Sequence, residues 1–352
     1  MKKYWWKWLG VILLAYALAG GLFNPLKTGI TGVRIAGSDS FVMISGVKTK
    51  LEVDVYNFGA DFTAKQVLLA KGQHKVLGKV EGFNPEGTLT VSFTPAIKSL
   101  GFEAQGPFSL YVNNGTHWMA FPGAVVLKPG PLDTLTAVPA IQAFNADPDL
   151  IKGFPNRPIL NESIRNLLYH VPMWFTMITL LTMAAWYAIK YLRTGNLDYD
   201  LKSDSFIRMG ILTGILGCIT GMFWARVTWA AWWPRDPKLN GVAIGMLMYL
   251  AYMLLRSGLR DEHQRARIGA VYNLFVFPIF IALIWVMPKL AGDSLHPGAG
   301  GTVTFKQYDM DNTLRSYFYP AVLGWIILFT WMSQMLFRYR KLEVETIIES
   351  ES

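Results

Sequence analysis

The chain has 352 residues, of which 52% are hydrophobic, 14% aromatic and only 16% charged, a balance that argues against an ordinary soluble domain, where charged residues run near a quarter. Its formal charge of +9 does not imply a nucleic-acid partner, because the lysines and arginines are placed around apolar segments rather than gathered in one basic face. The single cysteine, Cys218, excludes disulfides and a thiolate metal cluster within the chain, and the absence of a C-x-x-C-H motif excludes a covalently attached c-type haem.

Six apolar stretches lie at roughly 6–23, 168–191, 206–225, 239–255, 268–290 and 317–337, each able to rise about 30 Å as a helix and cross the hydrocarbon layer. Lys2, Lys3 and Lys7 precede the first. Lys190, Arg193, Lys202 and Arg208 lie between the second and third, and Arg256, Arg260, Arg265 and Arg267 between the fourth and fifth. Arg338, Arg340 and Lys341 follow the sixth. If the helices alternate, all these cations fall on one side, which the positive-inside rule makes cytoplasmic, with both termini there. The first stretch has the charged start and apolar middle of a secretory signal, with Ala17-Leu-Ala-Gly20 as a cleavage region. An uncleaved anchor is preferred, since losing this helix would break the alternation.

Between the first two stretches, Lys50–Tyr56, Gly87–Phe93 and Phe108–Val112 alternate apolar and polar residues, as half-buried strands do. Asn57-Phe-Gly59, Asn84-Pro-Glu-Gly87 and Asn113-Asn-Gly115 supply turn residues between them. About seven short strands at this spacing predict an immunoglobulin-like sandwich. Pro131, Pro139, Pro148, Pro155 and Pro158 then read as a linker back to the membrane. The expected fold is thus an all-α polytopic membrane protein of six transmembrane helices, with a β-sandwich inserted in the first outer loop. Its parts are an N-terminal helix (1–25), the β domain (28–130), a Pro-rich linker (131–162), a five-helix membrane domain (163–340) and a cytoplasmic tail (341–352). His74 and His117 lack ligand-like spacing and are assigned surface or packing roles.

Three segments at the outer ends of the helices carry residues that lipid-facing packing does not explain. In Ser163–Pro172, His170 stands at the start of the second helix with Arg165 just before it, and an ionisable residue there is a functional candidate, although interfacial histidines also cap helices. In Trp224–Asn240, Trp229, Trp232, Trp233 and Asp236 would share one face if the segment were helical, an assumption that Pro234 weakens. Tryptophan is enriched at membrane interfaces in any case. This cluster is dense, however, and is interleaved with Arg226, Arg235 and Lys238, a combination suited to a flat apolar ligand that bears carboxylates. In Ala291–Gly301, His296 sits in a glycine-rich loop, where a simple His-Pro turn is the alternative. Two neutral imidazoles flanking an aromatic floor could hold haem iron from both axial sides.

These residues resemble the CcmC family of cytochrome c maturation, within the wider CcmC and CcsA group. His170-Val-Pro172 matches a histidine followed by Val-Pro that opens the family's second helix, and Ser294-Leu-His-Pro297 resembles the setting of its second histidine. Trp229-Ala-Ala-Trp-Trp-Pro-Arg-Asp236 is similar to the family's Trp-Gly-x-Trp-Trp-x-Trp-Asp signature, the WWD motif. It departs twice, with Ala230 in place of glycine and Arg235 in place of the last tryptophan.

The resemblance implies a bacterial inner-membrane protein that binds haem b at the outer face and passes it to the haem chaperone CcmE, in association with the CcmA, CcmB and CcmD membrane proteins. The β domain, which helix alternation places in the periplasm, is a departure from the family's short first outer loop. On that reading His170 and His296 are axial ligands. Trp224, Trp229, Trp232, Trp233 and Asp236 form the platform and its support, and Arg165, Arg235 and Lys238 are the candidates for the haem propionates. The sequence shows no conventional catalytic residues, so any haem-lyase-like role would rest on positioning haem. The alternatives are a membrane-anchored extracytoplasmic binding protein acting through its β domain, and a CcsA-type cytochrome c synthetase component.

Overall fold

The computed structural model describes residues 4–26, 28–56, 64, 66–71, 74–84, 87–95, 106–114, 118–128, 161–291, 294–296 and 312–351. Almost all of the expected linker, and His117, lie outside them. The chain divides into two units, one of Pro25–Ile164 and the other of Met1–Asn24 with Arg165–Ser352.

Alternation in the first unit produces strands β1 (Gly29–Ile35), β2 (Val42–Ile44), β3 (Thr49–Tyr56), β4 (Gln66–Lys71), β5 (His74–Asn84), β6 (Thr88–Phe93), β7 (Gly106–Asn113) and β8 (Trp118–Lys128). The inward residues are those the period of two selects: Leu51 and Val53 on β3, Leu89 and Val91 on β6, and Phe108, Leu110 and Val112 on β7 all lie in one apolar core. At the Asn84–Gly87 turn, Gly87 adopts φ +98° and its N–H donates to the Asn84 carbonyl at 2.9 Å, a conformation that favours glycine.

The expected immunoglobulin-like sandwich is not what forms. The strands make an eight-stranded mixed sheet, in the order β1-β3-β6-β5-β4-β7-β8-β2, curled as a half-barrel. The cause lies in β5, whose first half (His74–Gly78) pairs with β4 and whose second half (Lys79–Asn84) pairs with β6. One strand therefore stitches together what a sandwich keeps as two separate sheets. The pairing of β2 with β8 is parallel, and the other pairings are antiparallel. Alternation fixes which residues face inward, but not which strands are neighbours, and that is where the expectation failed.

In the second unit the helices are α1 (Trp5–Phe23), α2 (His170–Thr194), α3 (Leu197–Trp229), α4 (Pro237–Ser257), α5 (Glu262–Ile281) and α6 (Asn312–Glu351). A 3-10 turn (Asn161–Leu168) leads into α2, and α5 continues through a π-helical turn (Ala282–Val286) and a last short turn (Met287–Ala291). Among the described residues, six helical segments are long and apolar enough to span a membrane. Small residues set their spacing: a Cβ added at Gly10 of α1 would meet Ile327 of α6 at 2.5 Å, and one added at Gly324 would meet Leu14 at 2.7 Å.

At the end of the bundle where α3 begins, charge is buried but paired. Arg256 makes two parallel bonds to Asp200, each of 2.7 Å, and its Nε lies 3.3 Å from Asp204. Asp204 also accepts from Arg208 at 2.8 Å and from Arg340, so that α3, α4 and α6 are joined. Arg256, Asp200 and Asp204 are all at most 5% exposed, and a buried ion losing its partner typically costs about 3–5 kcal/mol. Arg256→Leu should therefore lower the apparent thermal unfolding midpoint in detergent by on the order of 10 °C, while Arg260→Leu at an exposed position leaves it unchanged. Equal midpoints for the two variants would show that the cluster does not hold the bundle.

Candidate functional site

Helix α3 ends at Trp229 because Ala230 turns left-handed, with φ +57°. The Arg226 guanidinium donates to the Ala230 carbonyl and closes that end. The chain then runs without helix to Asp236, whose side chain caps α4 by accepting from the amides of Lys238 (2.8 Å) and Leu239 (3.2 Å). The single helical face expected for Trp229, Trp232, Trp233 and Asp236 therefore does not exist, and the break falls at Ala230 even before Pro234.

What the break achieves is to bring α4 close to the segment after α5. Asp236 is 1% exposed, and its Oδ2 accepts from the Leu295 amide (2.6 Å) and the Ser294 hydroxyl (2.9 Å). Its Oδ1 lies 3.3 Å from His296 Nδ1, within ion-pair reach but without the alignment of a hydrogen bond. Burial works to raise the Asp236 carboxyl, yet the Leu295 amide, His296, the Ser294 hydroxyl and the Leu239 amide hold it below the usual carboxylate range. His296 is pushed down to about 4, chiefly by burial and then by the Lys238 ammonium, against the opposing pull of Asp236. It is consequently a neutral imidazole at pH 7.

His170, in the first turn of α2, is fixed from α3. Its Nδ1 lies 3.0 Å from the Gly217 carbonyl and 3.4 Å from the Thr220 hydroxyl. A carbonyl can only accept, so Nδ1 carries the proton and Nε2 keeps the lone pair. Gly221 makes room for the ring, since a Cβ there would meet His170 Cε1 at 2.6 Å. Gly214 and Gly217 likewise admit Met177 and Trp174 of α2. Among the described residues, no hydrogen bond reaches Nε2 of either His170 or His296.

The two imidazoles are joined by a run of rings. His170 stacks on Trp224 with centroids 6.4 Å apart, Trp224 meets Trp229 edge-on at 5.3 Å, and Trp229 meets His296 edge-on at 5.2 Å. Lys238 stands two residues after Asp236, in the first turn of α4, and its charge bears on His296. Of the ten residues singled out from the sequence, His170, Trp224, Trp229, Asp236, Lys238 and His296 are thus gathered in one place. Trp232 and Trp233 are 49% and 39% exposed, and Trp232 packs edge-on to Phe223 at 5.5 Å. Arg235 is exposed, and Arg165 donates to the Gly21 carbonyl of α1. The sequence reading missed Gly217, Thr220, Gly221 and Ser294 as supports of the histidines. The glycine spacing on α3 was visible, but what it accommodates was not.

Residues 150–350 match the family described as CcmC, heme exporter protein C. The chain belongs to the CcmC family. The match covers the helices α2 to α6 and not the β domain. The heme exporter protein C of Rhodobacter capsulatus is 26% identical over 180 residues, which is 50% of this chain and 72% of that protein. The cytochrome c biogenesis proteins CcsA of Prochlorococcus marinus subsp. pastoris and Synechococcus sp. RCC307 are 30% and 34% identical over 99 and 104 residues. Each of those matches spans only 30% of the CcsA protein, so the likeness to CcsA is local.

Ala230 takes a left-handed backbone, φ +57°, that suits glycine. A Cβ at positive φ costs about 1 kcal/mol, so Ala230→Gly should raise stability by roughly that amount, read as a small upward shift of the unfolding midpoint. Asp236 separates two duties in a way that can be measured. Asn caps a helix as well as Asp but has one acceptor oxygen, so Asp236→Asn should keep α4 folded while releasing the Ser294–His296 segment. Protease cutting of that segment should accelerate with little change in helix content by circular dichroism. An unchanged cutting rate would count against the tether.

Proposed function

We propose that the protein handles haem in cytochrome c biogenesis, holding haem b between His170 and His296 at the outer face of a bacterial inner membrane and delivering it to the haem chaperone CcmE. The observation that carries this reading is that His170 is fixed through Nδ1 by the Gly217 carbonyl, which leaves its Nε2 lone pair to ligate, and that His296 is held nearby with Nδ1 3.3 Å from the Asp236 carboxylate. Ligating histidines are generally fixed by such outer contacts. Family membership and the local likeness to CcsA proteins support the same role.

The residues fit a haem in chemical type. Neutral imidazoles suit iron, and Trp224 and Trp229 provide apolar ring surface between them. Trp232 and Trp233, exposed at the same helix end, extend that surface toward whatever approaches from outside. Lys238, half-buried beside Asp236, and Arg235, on the exposed turn, are the cations best placed for propionates. Arg165 is assigned instead to tying the 3-10 turn to α1 through the Gly21 carbonyl. Haem is cargo here, and the protein's part is to bind, orient and release it.

The Lys and Arg distribution supports a topology with both termini in the cytoplasm and the β domain in the periplasm. CcmA, CcmB and CcmD are the proposed membrane partners. The test is the absorption spectrum of the protein purified in detergent after co-expression with the chaperone, for wild type, His170→Ala and His296→Ala. A Soret band that weakens in both variants is expected. A wild type without haem, or a band unchanged in both variants, would overturn the ligand assignment.

A further inference from the structure

At the end of α2 opposite His170, two lysines share one aromatic cluster. Lys190 Nζ lies 5.4 Å from the Tyr199 ring centroid and 6.0 Å from that of Tyr187, while Lys202 Nζ lies 5.3 Å and 5.7 Å from the same two rings. Phe337 of α6 closes the group, 5.0 Å from Lys202 Nζ. The tyrosines are stacked with centroids 6.3 Å apart, and Tyr187 is braced by the buried Phe206 at 5.7 Å. Three helices thus build the cluster: α2, α3 and α6.

Lysines at a membrane boundary ordinarily extend their ammonium groups to water. These two are half-buried and turned onto the same rings. Among the described residues, neither is in an ion pair, and Asp198, one turn before Lys202, is taken by Lys341 at 2.8 Å. Both ammonium groups thus rest against ring faces, which offset only part of the cost of leaving a half-buried cation without a carboxylate. The cluster therefore has unused capacity for an anion.

Position along the helix indicates which anion. Lys190 follows His170 by twenty residues on a continuous helix, which is about 30 Å, the thickness of the hydrocarbon layer. The cluster accordingly sits at the other membrane boundary. Beside it Trp186 and Leu192 are 59% and 41% exposed, offering apolar surface of the kind that acyl chains cover. We propose that Lys190 and Lys202, framed by Tyr187, Tyr199 and Phe337, form a binding site for the phosphate headgroup of an anionic phospholipid at the membrane boundary opposite the histidine pair.

The site is tested by native mass spectrometry of the full chain in detergent, titrated with phosphatidylglycerol, cardiolipin, phosphatidylcholine or inorganic phosphate. Anionic lipid adducts should form in preference to phosphatidylcholine. They should weaken by roughly ten- to thirtyfold in Lys190→Gln/Lys202→Gln, given about one such contribution per lysine near a charged surface. Arg260→Gln, which removes an exposed cation elsewhere, should leave them intact. The single variants Lys190→Gln and Lys202→Gln, checked for wild-type elution and helix content, guard against misfolding of the double variant. Adducts unchanged in the double variant, or lost equally in Arg260→Gln, would overturn the site. Lipid adducts displaced fully by inorganic phosphate at low millimolar concentration would overturn the lipid as occupant.

Discussion

Much of the histidine site depends on one carboxylate. Asp236 is nearly inaccessible, and a buried carboxylate is tolerated only when its lone pairs are met by donors. Its four donors come from two places far apart in the sequence: the first turn of α4, and the segment after α5. The same group that starts a membrane helix therefore fixes where Ser294, Leu295 and His296 lie. The left-handed turn at Ala230 is the complementary constraint, since a helix running on past Trp229 could not deliver Asp236 to that point. Aromatic packing between Trp224, Trp229 and His296 follows from these two features rather than producing them.

The two ends of the helical bundle use opposite electrostatic strategies. At the end carrying the histidines, burial keeps His296 neutral and leaves a nitrogen lone pair available, which is what a metal-binding group requires. At the other end, burial is made tolerable by pairing, with Arg256 gripping Asp200 through both its terminal nitrogens and Asp204 shared among three arginines. Such a cluster adds little net stability over well-packed apolar residues, but it penalises any arrangement that separates its members. It therefore selects one register of α3, α4 and α6 against each other. The register in turn sets how Gly217 and Gly221 of α3 meet Trp174 and His170 of α2.

Membrane helices were legible because a span of about twenty apolar residues has no competing explanation. The histidines and the tryptophan-rich segment were legible as chemistry that lipid contact does not require. Their grouping was only partly so: the ring sequence from His170 to His296 depends on a backbone break that the alanine at 230 conceals, where glycine would have announced it. The β domain was misjudged for a related reason, since nothing in the alternation of β5 reveals that its two halves pair with different neighbours. Asp200 and Asp204 went unremarked although their spacing of four puts them on one helix face. That spacing, with Arg256 ending the facing helix, was the available signal for the buried cluster.

The two histidines are held by means of different stiffness. His170 belongs to a long helix packed on a neighbour through glycines, and its Nδ1 partner is the backbone carbonyl of that neighbour. Displacing it would mean separating α2 from α3, at the expense of the apolar packing of Met173, Met177 and Leu180. His296 ends the non-helical stretch 294–296, and among the described residues that stretch is tethered by polar contacts from Ser294 and Leu295 to one side chain. Among the described residues, moving it breaks two hydrogen bonds to Asp236 rather than the packing of two helices. On the proposed role, a site that takes up and gives up its cargo needs one side that yields before the other does. In this chain the lesser cost of movement falls on the His296 side, and Asp236 sets how great that cost is.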